Sequence, residues 1–158
     1  MVKLSIVLPV YNEEKNLELL HSELNQVLKD MKEDYEILFV DDNSKDNSLK
    51  VLNKISKFDN CVKLIKFRKN FGQTAALDAG IKSSEGDIII TMDSDLQNDP
   101  RDIPKLVDKI NEGYDVISGW RYNRKDSFSK KFISKGANLL RKLIIKDTIQ
   151  DSGCTLKA

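Results

Sequence analysis

Apolar residues along this chain alternate between two patterns. Short runs rich in β-branched and aromatic residues occupy positions 3–10, 35–40, 62–67, 87–92 and 115–120, with the lengths and residue types of strands. Between them, apolar residues recur every three or four positions, as on one face of a helix. Leu17, Leu20, Leu24, Val27, Leu28 and Met31 mark the first helix, and Leu49, Leu52 and Ile55 the second. Residues 72–84 predict a short Ala-rich helix with room for close packing. Residues 104–111 predict another, with Pro104 in its first turn and Gly113 past its end. Asn12 is expected to cap the first helix, with Glu13 and Glu14 in a favourable first turn. Ser44 or Asp46 is expected to cap the second, which should run to about Lys57. The first strand is expected to stop, or to become an edge, at Pro9.

Strands alternating with helices at this spacing predict an α/β fold, a Rossmann-like, mostly parallel sheet with helices on both faces. No internal repeat or low-complexity linker divides the chain, and residues 1–158 are expected to form one domain. In such sheets ligands bind at the carboxyl ends of the strands. Those ends carry Pro9-Val10-Tyr11-Asn12-Glu13, Asp41-Asp42, Arg68-Lys69-Asn70-Phe71, Asp93-Ser94-Asp95 and Gly119-Trp120-Arg121. The run Ile88–Met92 reads as a strand buried on both faces, and it leads straight into Asp93 and Asp95. Residues two apart in an extended chain point the same way, so both carboxylates should meet at one sheet edge. Repulsion and desolvation oppose ionising both, and a divalent cation removes the conflict. Gln97 shares their parity and adds a neutral oxygen. An all-oxygen set of Asp93, Asp95 and Gln97 suits Mg²⁺ or Mn²⁺ rather than zinc.

Composition narrows the partners. Of the 158 residues 32% are charged, 40% hydrophobic and 7% aromatic, as in a water-soluble globular protein. The net charge of +1 implies no global attraction to nucleic acid. The charge is uneven, however. Between Arg121 and Lys146 lie nine basic residues and a single acid, Asp126, which points to an anionic partner for one face. Cys61 and Cys154 lack metal-ligand spacing, and Met1-Val2-Lys3 opens no signal peptide. Both are expected to be reduced thiols in a cytoplasmic protein. His21, in a polar helix pattern, is expected to be solvated or capping.

The first turn lacks Gly-x-Gly-x-x-Gly and Gly-x-x-x-x-Gly-Lys, which disfavours a dinucleotide fold and a P-loop NTPase. Five stretches together resemble a family 2 glycosyltransferase of the GT-A fold. They are Pro9-Val10-Tyr11-Asn12-Glu13-Glu14, Asp41-Asp42-Asn43-Ser44, Arg68-Lys69-Asn70-Phe71-Gly72-Gln73-Thr74, Asp93-Ser94-Asp95-Leu96-Gln97-Asn98-Asp99-Pro100 and Gln150-Asp151-Ser152-Gly153-Cys154. The last three are similar to the branch of dolichol-phosphate mannose synthase and bacterial polyprenyl-phosphate glycosyltransferases. The resemblance implies that Pro9, Tyr11, Glu13, Val40 and Asp42 bind the nucleoside of a nucleotide-sugar donor, with Ser94 beside them. It implies a metal held by Asp93, Asp95 and Gln97 against the donor diphosphate. Arg121 and Lys69 are then phosphate clamps. Asp151 aligns with the acid proposed as base in relatives.

The acceptor follows from the basic stretch. Apolar Phe128, Phe132, Ile133, Leu139, Leu140, Leu143 and Ile144 alternate with basic residues, a pattern suited to an anionic membrane surface. In the resembled branch a basic residue four before a Ser binds the lipid phosphate, here Lys130 and Ser134. Together these predict inverting, metal-dependent transfer of a sugar to polyprenyl phosphate at the cytoplasmic face of the membrane. The resemblance admits a homo-oligomer and a catalytic portion truncated at its C-terminal end. A saccharide hydroxyl acceptor, or a silent nucleotide-sugar-binding domain, remain the alternatives.

Overall fold

In the computed structural model, residues 3–119 and 154–158 are described. Strands β1 (Leu4–Val10), β2 (Tyr35–Asp41), β3 (Val62–Lys66) and β4 (Ile88–Thr91) form a parallel sheet in the spatial order β3-β2-β1-β4. Ile6 of β1 lies opposite Ile37 of β2 on one side and Ile90 of β4 on the other. The chain reverses its direction of travel across the sheet at β1, so the carboxyl ends of β1 and β4 frame a switch-point crevice.

Helices α1 (Leu17–Met31), α2 (Ser48–Phe58) and α3 (Gln73–Lys82) connect the strands, and α4 (Ile103–Asn111) follows β4 after a 3₁₀ turn, Pro100–Asp102. An isolated 15-residue helix is marginal in water, so the apolar stripe of α1 must supply its stability. Leu17, Leu20, Leu24 and Leu28 are all buried. They join one core cluster with Leu4, Ile6 and Leu8 of β1, Phe39 of β2, Leu52 and Ile55 of α2, and Ile103, Leu106 and Val107 of α4. Each fully buried leucine contributes about 1.5–3 kcal/mol. The opposite face belongs to α3. A Cβ built on Gly80 would lie 2.3 Å from Val7 Cγ1 and 3.2 Å from Val40 Cγ2, so only glycine lets α3 sit this close. The α/β expectation, with helices on both faces, holds.

Several local expectations do not. Pro9 neither ends β1 nor makes it an edge, for β1 is central and runs to Val10. The reason lies in the alternation of its carbonyls. Val7 accepts from Met92 on the β4 side, Val10 accepts from Asp42 on the β2 side, and Pro9 accepts from Ser94 Oγ on the β4 side. The β4 ladder has already ended at Thr91 opposite Val7, so the N–H that Pro9 lacks has no partner to lose. Asn12 does not cap α1, which starts five residues later. It sits at φ 59°, takes a bond from its own N–H to Ser44 Oγ, and accepts Lys45 N–H at 2.7 Å. Neither Ser44 nor Asp46 is the N-cap residue of α2, which is Asn47, yet Asp46 Oδ1 still accepts the N–H of Ser48.

The expected fifth strand is also different. In residues 115–119, Asp115 and Val116 are exposed and the rest half-buried, and the stretch forms a single antiparallel bridge, Ser118 to Lys157. Lys157 bridges Thr91 of β4 in turn, so residues 154–158 lie between β4 and residues 117–119. β4 is half-buried rather than buried on both faces: Ile88 and Ile90 point into the core while Ile89 and Thr91 are partly exposed. His21 is not solvated. Its Nε2 lies 2.8 Å from Asp59 Oδ2 and 2.9 Å from Asn25 Nδ2, tying α1 to the loop before β3. Cys61 and Cys154 are free thiols.

The amino end of the sheet is fastened by a buried acid that the apolar pattern of residues 35–40 conceals. Glu36 Oε1 accepts the Ser5 hydroxyl and the Glu85 N–H, each at 2.6 Å, and Lys63 Nζ stands 2.8 Å from Oε2. Desolvation pushes the Glu36 carboxyl up, but the hydrogen bonds from Lys63, Ser5 and the Glu85 N–H outweigh it and hold it below its ordinary value. A lowered folded-state value means stability present above the unfolded pKa and lost as pH falls through the folded one. Glu36→Gln should therefore cost about 1–3 kcal/mol at pH 7, because buried donors lose an ionised acceptor. Urea titrations of both proteins should show that gap closing as pH falls below about 4.

Candidate active site

A cleft of about 390 Å³ opens at the carboxyl edge of the sheet, lined by Pro9, Tyr11, Glu13, Asp42, Asn70, Gly72, Gln73, Asp93, Ser94 and Asp95 among others. Six residues expected from the sequence to bind the donor, Pro9, Tyr11, Glu13, Asp42, Asp93 and Ser94, therefore meet in one place, with Asp95. Tyr11, 45% exposed, presents its ring at the rim, where a flat apolar group can stack. Ser94 is buried. Its hydroxyl donates to the Pro9 carbonyl at 2.7 Å, so it fastens the end of β4 to the end of β1 and leaves Asp93 and Asp95 on either side.

Among the described residues that line the cleft, the charged ones are all acids. The Glu13 carboxyl is pushed up, first by burial, which the Asn16 amide partly offsets, then by the charges of Asp95, Asp46 and Asp93. Carboxylate oxygens are hard donors that fit Mg²⁺ or Mn²⁺. Among the described residues no three His, Cys, Asp or Glu side chains form a complete metal set. Asp93 and Asp95 would then hold the ion with water and substrate oxygens filling its shell, as is usual for Mg²⁺. Gln97 does not stand with them. The parity argument needs an extended chain, and Leu96 at φ 63° turns it. The Gln97 N–H donates to Asp95 Oδ1, while its side chain lines a neighbouring depression with Asn98, Asp99 and Arg101.

Asp42 is buried, and both its oxygens already accept backbone N–H groups: Oδ1 from Phe71 at 2.7 Å and Oδ2 from Gly72 at 2.8 Å. This pair of bonds sets the loop between β3 and α3. A ribose hydroxyl would have to share the remaining lone pairs. Lys69 lies outside the cleft lining, its Nζ 4.9 Å from the Phe71 ring centroid. Val40 is buried beneath Gly80 of α3, so its side chain does not line the cleft. Arg121, Lys130, Ser134 and Asp151 fall outside the described residues, as does the basic amphipathic stretch 128–146. Sequence reasoning did not single out Gln73 and Thr155, which both touch Asp93. Each stood in or beside a quoted motif, and that adjacency was the available signal.

Residues 5–156 match the family described as Glycosyl transferase family 2. The chain belongs to that family. Over 157 residues this family 2 chain is 42% identical to undecaprenyl-phosphate 4-deoxy-4-formamido-L-arabinose transferase of Proteus mirabilis (strain HI4320), covering 99% of the chain and 48% of the relative. The chain thus spans about half the length of that curated relative. Among solved structures, it resembles glucosyl-3-phosphoglycerate synthase from Mycobacterium tuberculosis in complex with Mn²⁺, uridine diphosphate and phosphoglyceric acid. That likeness has a TM-score of 0.73 at 18% identity, over 99% of this chain and 55% of the other. It also resembles S. aureus TarS in complex with UDP, at TM-score 0.56 and 26% identity over 80% of this chain and 38% of the other. The fold is that of the GT-A glycosyltransferases.

Two outcomes follow for the family 2 site. Asp42→Asn replaces one acceptor with an amide donor facing an N–H. Amide exchange at Phe71 and Gly72 should speed up by about tenfold, since a hydrogen bond to a charged group is worth about 1.5–3 kcal/mol. Exchange measured without ligand checks this. Glu13→Gln removes a charge that the folded cleft resists. Its folded-state value is raised, so the cost exists above that value and vanishes below the unfolded one. The metal-free variant should melt higher than the wild type at pH 7 and no higher near pH 3, by calorimetry.

Proposed function

We propose that this chain carries the donor-binding part of a glycosyltransferase that moves a sugar from a nucleotide sugar to a polyprenyl phosphate, with inversion. The observation that carries the reading is the oxygen-rich cleft at the switch point, where Asp93 and Asp95 face Glu13 and the Asp42 loop. The relative's printed name supports a polyprenyl-phosphate acceptor. Tyr11 stacks on the base, Asp42 orders the loop beneath the ribose, and Asp93 and Asp95 hold a divalent cation. Bound there, Mg²⁺ or Mn²⁺ would offset the charge of the diphosphate leaving group. Arg121 clamps a phosphate, and Lys69 is a second cation near the loop. Lys130 and Ser134 bind the acceptor phosphate.

A lipid phosphate has its second pKa near about 6 and is already an anion at neutral pH. Asp151 then positions the acceptor rather than removing a proton, and a single in-line displacement suffices. A saccharide hydroxyl would depend on Asp151 as a base. No helix among the described residues is long and apolar enough to cross a membrane. Contact with the lipid's cytoplasmic face is assigned to the basic stretch 128–146.

Calorimetry and product analysis test the reading. UDP or GDP should bind at least about tenfold more tightly with Mn²⁺ than with chelator, and Asp95→Asn should remove most of that difference. Offered polyprenyl phosphate and a sugar alcohol together, the enzyme should make only the lipid-linked sugar. Lys130→Ala and Ser134→Ala should raise the acceptor KM more than they lower kcat. A glycosylated alcohol with no lipid product would move the assignment to a hydroxyl acceptor.

A further inference from the structure

Asp93 is held from both sides by uncharged donors. Gln73 Nε2 donates to Oδ1 at 2.6 Å, and the Thr155 hydroxyl donates to Oδ2 at 2.6 Å. The two come from opposite directions in the sequence. Gln73 is the first residue of α3, directly after the Phe71-Gly72 backbone that Asp42 grips. Thr155 belongs to the segment bridged antiparallel to β4 through Lys157.

The direction of the Thr155 bond is fixed as well. Asn98 Nδ2 donates to Thr155 Oγ1 at 3.1 Å, which occupies one of that oxygen's lone pairs. The hydroxyl proton is then left for Asp93. The Thr155 backbone is pinned in turn, because Thr91 Oγ1 donates to its carbonyl at 2.7 Å. Beside Asp95 and Glu13, Gln73 and Thr155 orient the Asp93 carboxylate without themselves adding charge.

We propose that Gln73 and Thr155 are positioning residues. They clamp the Asp93 carboxylate in one orientation, and Asn98 sets the donor direction of Thr155, so that Asp93 meets a divalent cation without a reorganisation cost. The proposal rests on the reading above that Asp93 holds the cation. Partners that orient a metal-binding carboxylate change metal affinity by about 10–100-fold when lost.

The test uses Mn²⁺ itself as the probe. Its binding to the 158-residue chain is followed by electron paramagnetic resonance, alone and with saturating UDP or GDP. Thr155→Val keeps the shape and removes the donor; Thr155→Ser restores it. Thr155→Val and Gln73→Ala should each weaken Mn²⁺ binding by about tenfold or more, and Thr155→Ser should recover to within about twofold of the wild type. Asn98→Ala, which frees the hydroxyl to turn, should give a smaller loss of the same kind. Melting of the metal-free variants reports folding separately. Wild-type affinity in both Thr155→Val and Gln73→Ala would overturn the clamp while leaving Asp93 as a cation ligand. Equal loss in Thr155→Val and Thr155→Ser would overturn it too, by showing a packing effect in place of a hydrogen bond. A wild-type chain that binds no Mn²⁺ under either condition would remove the reading of Asp93 itself, and the clamp with it.

Discussion

Asp42 accepts two backbone N–H bonds inside the protein, and the arrangement of the cleft hangs on that pair. The carboxylate leaves β2, the strand paired to both β1 and β3, and fixes Phe71 and Gly72 on the far side of β3. Gly72 adopts φ 89°, a conformation that non-glycine residues resist, and α3 begins at the next residue. The start of α3 is therefore set by a side chain from the sheet, while its later course is set by Gly80 lying against Val7 and Val40. A helix fixed at both points brings Gln73 to Asp93. Breaking the Asp42 bonds would leave two backbone N–H groups without their acceptor and free the helix start, so loop order and cleft geometry stand or fall together.

The two ends of the sheet handle buried acid differently. At the amino end, Glu36 meets Lys63 and two neutral donors, and its carboxyl is held low. At the carboxyl end, Glu13 has the Asn16 amide and three nearby acids, and its carboxyl is pushed up. The first arrangement is self-sufficient and strengthens the fold. Among the described residues that line it, the second carries acids and no Lys or Arg. Acids gathered in a concave site with a raised carboxyl among them are the kind of perturbed cluster that functional sites concentrate.

Much of this was legible before any coordinates. Short β-rich runs located the four described strands, period-3.6 stripes the first two helices, and Ala content and Pro/Gly punctuation the other two described ones, because regular elements write themselves into side-chain order. Pro9, Tyr11, Glu13, Asp42, Asp93, Ser94 and Asp95 were legible as a cleft because strands of a parallel sheet deliver their carboxyl ends to one edge. What failed was whatever depends on backbone departures from regularity. Gln97 lost its parity with Asp95 through one left-handed residue, Leu96. Asn12 looked like a cap by composition, but its φ of 59° makes it a turn that binds Ser44 and Lys45 instead. Residues 115–119 looked like a strand because they are β-prone. Their pairing partner is a segment forty residues on, and no local pattern encodes a partner that distant.

That distant segment explains why packing and site geometry are a single choice here. Along residues 154–158, Cys154 and Leu156 are buried in the main core, while Thr155 between them faces Asp93 and Asn98. Side chains alternate along an extended segment, so a slip of one residue would turn Cys154 and Leu156 out of the core. The same slip would take the Thr155 hydroxyl away from Asp93. The register that buries two apolar side chains is thus the register that supports the carboxylate. Burial of those two side chains is worth on the order of a few kcal/mol, more than one hydrogen bond at the cleft supplies. The core therefore dictates the register, and the orientation of Asp93 follows from it.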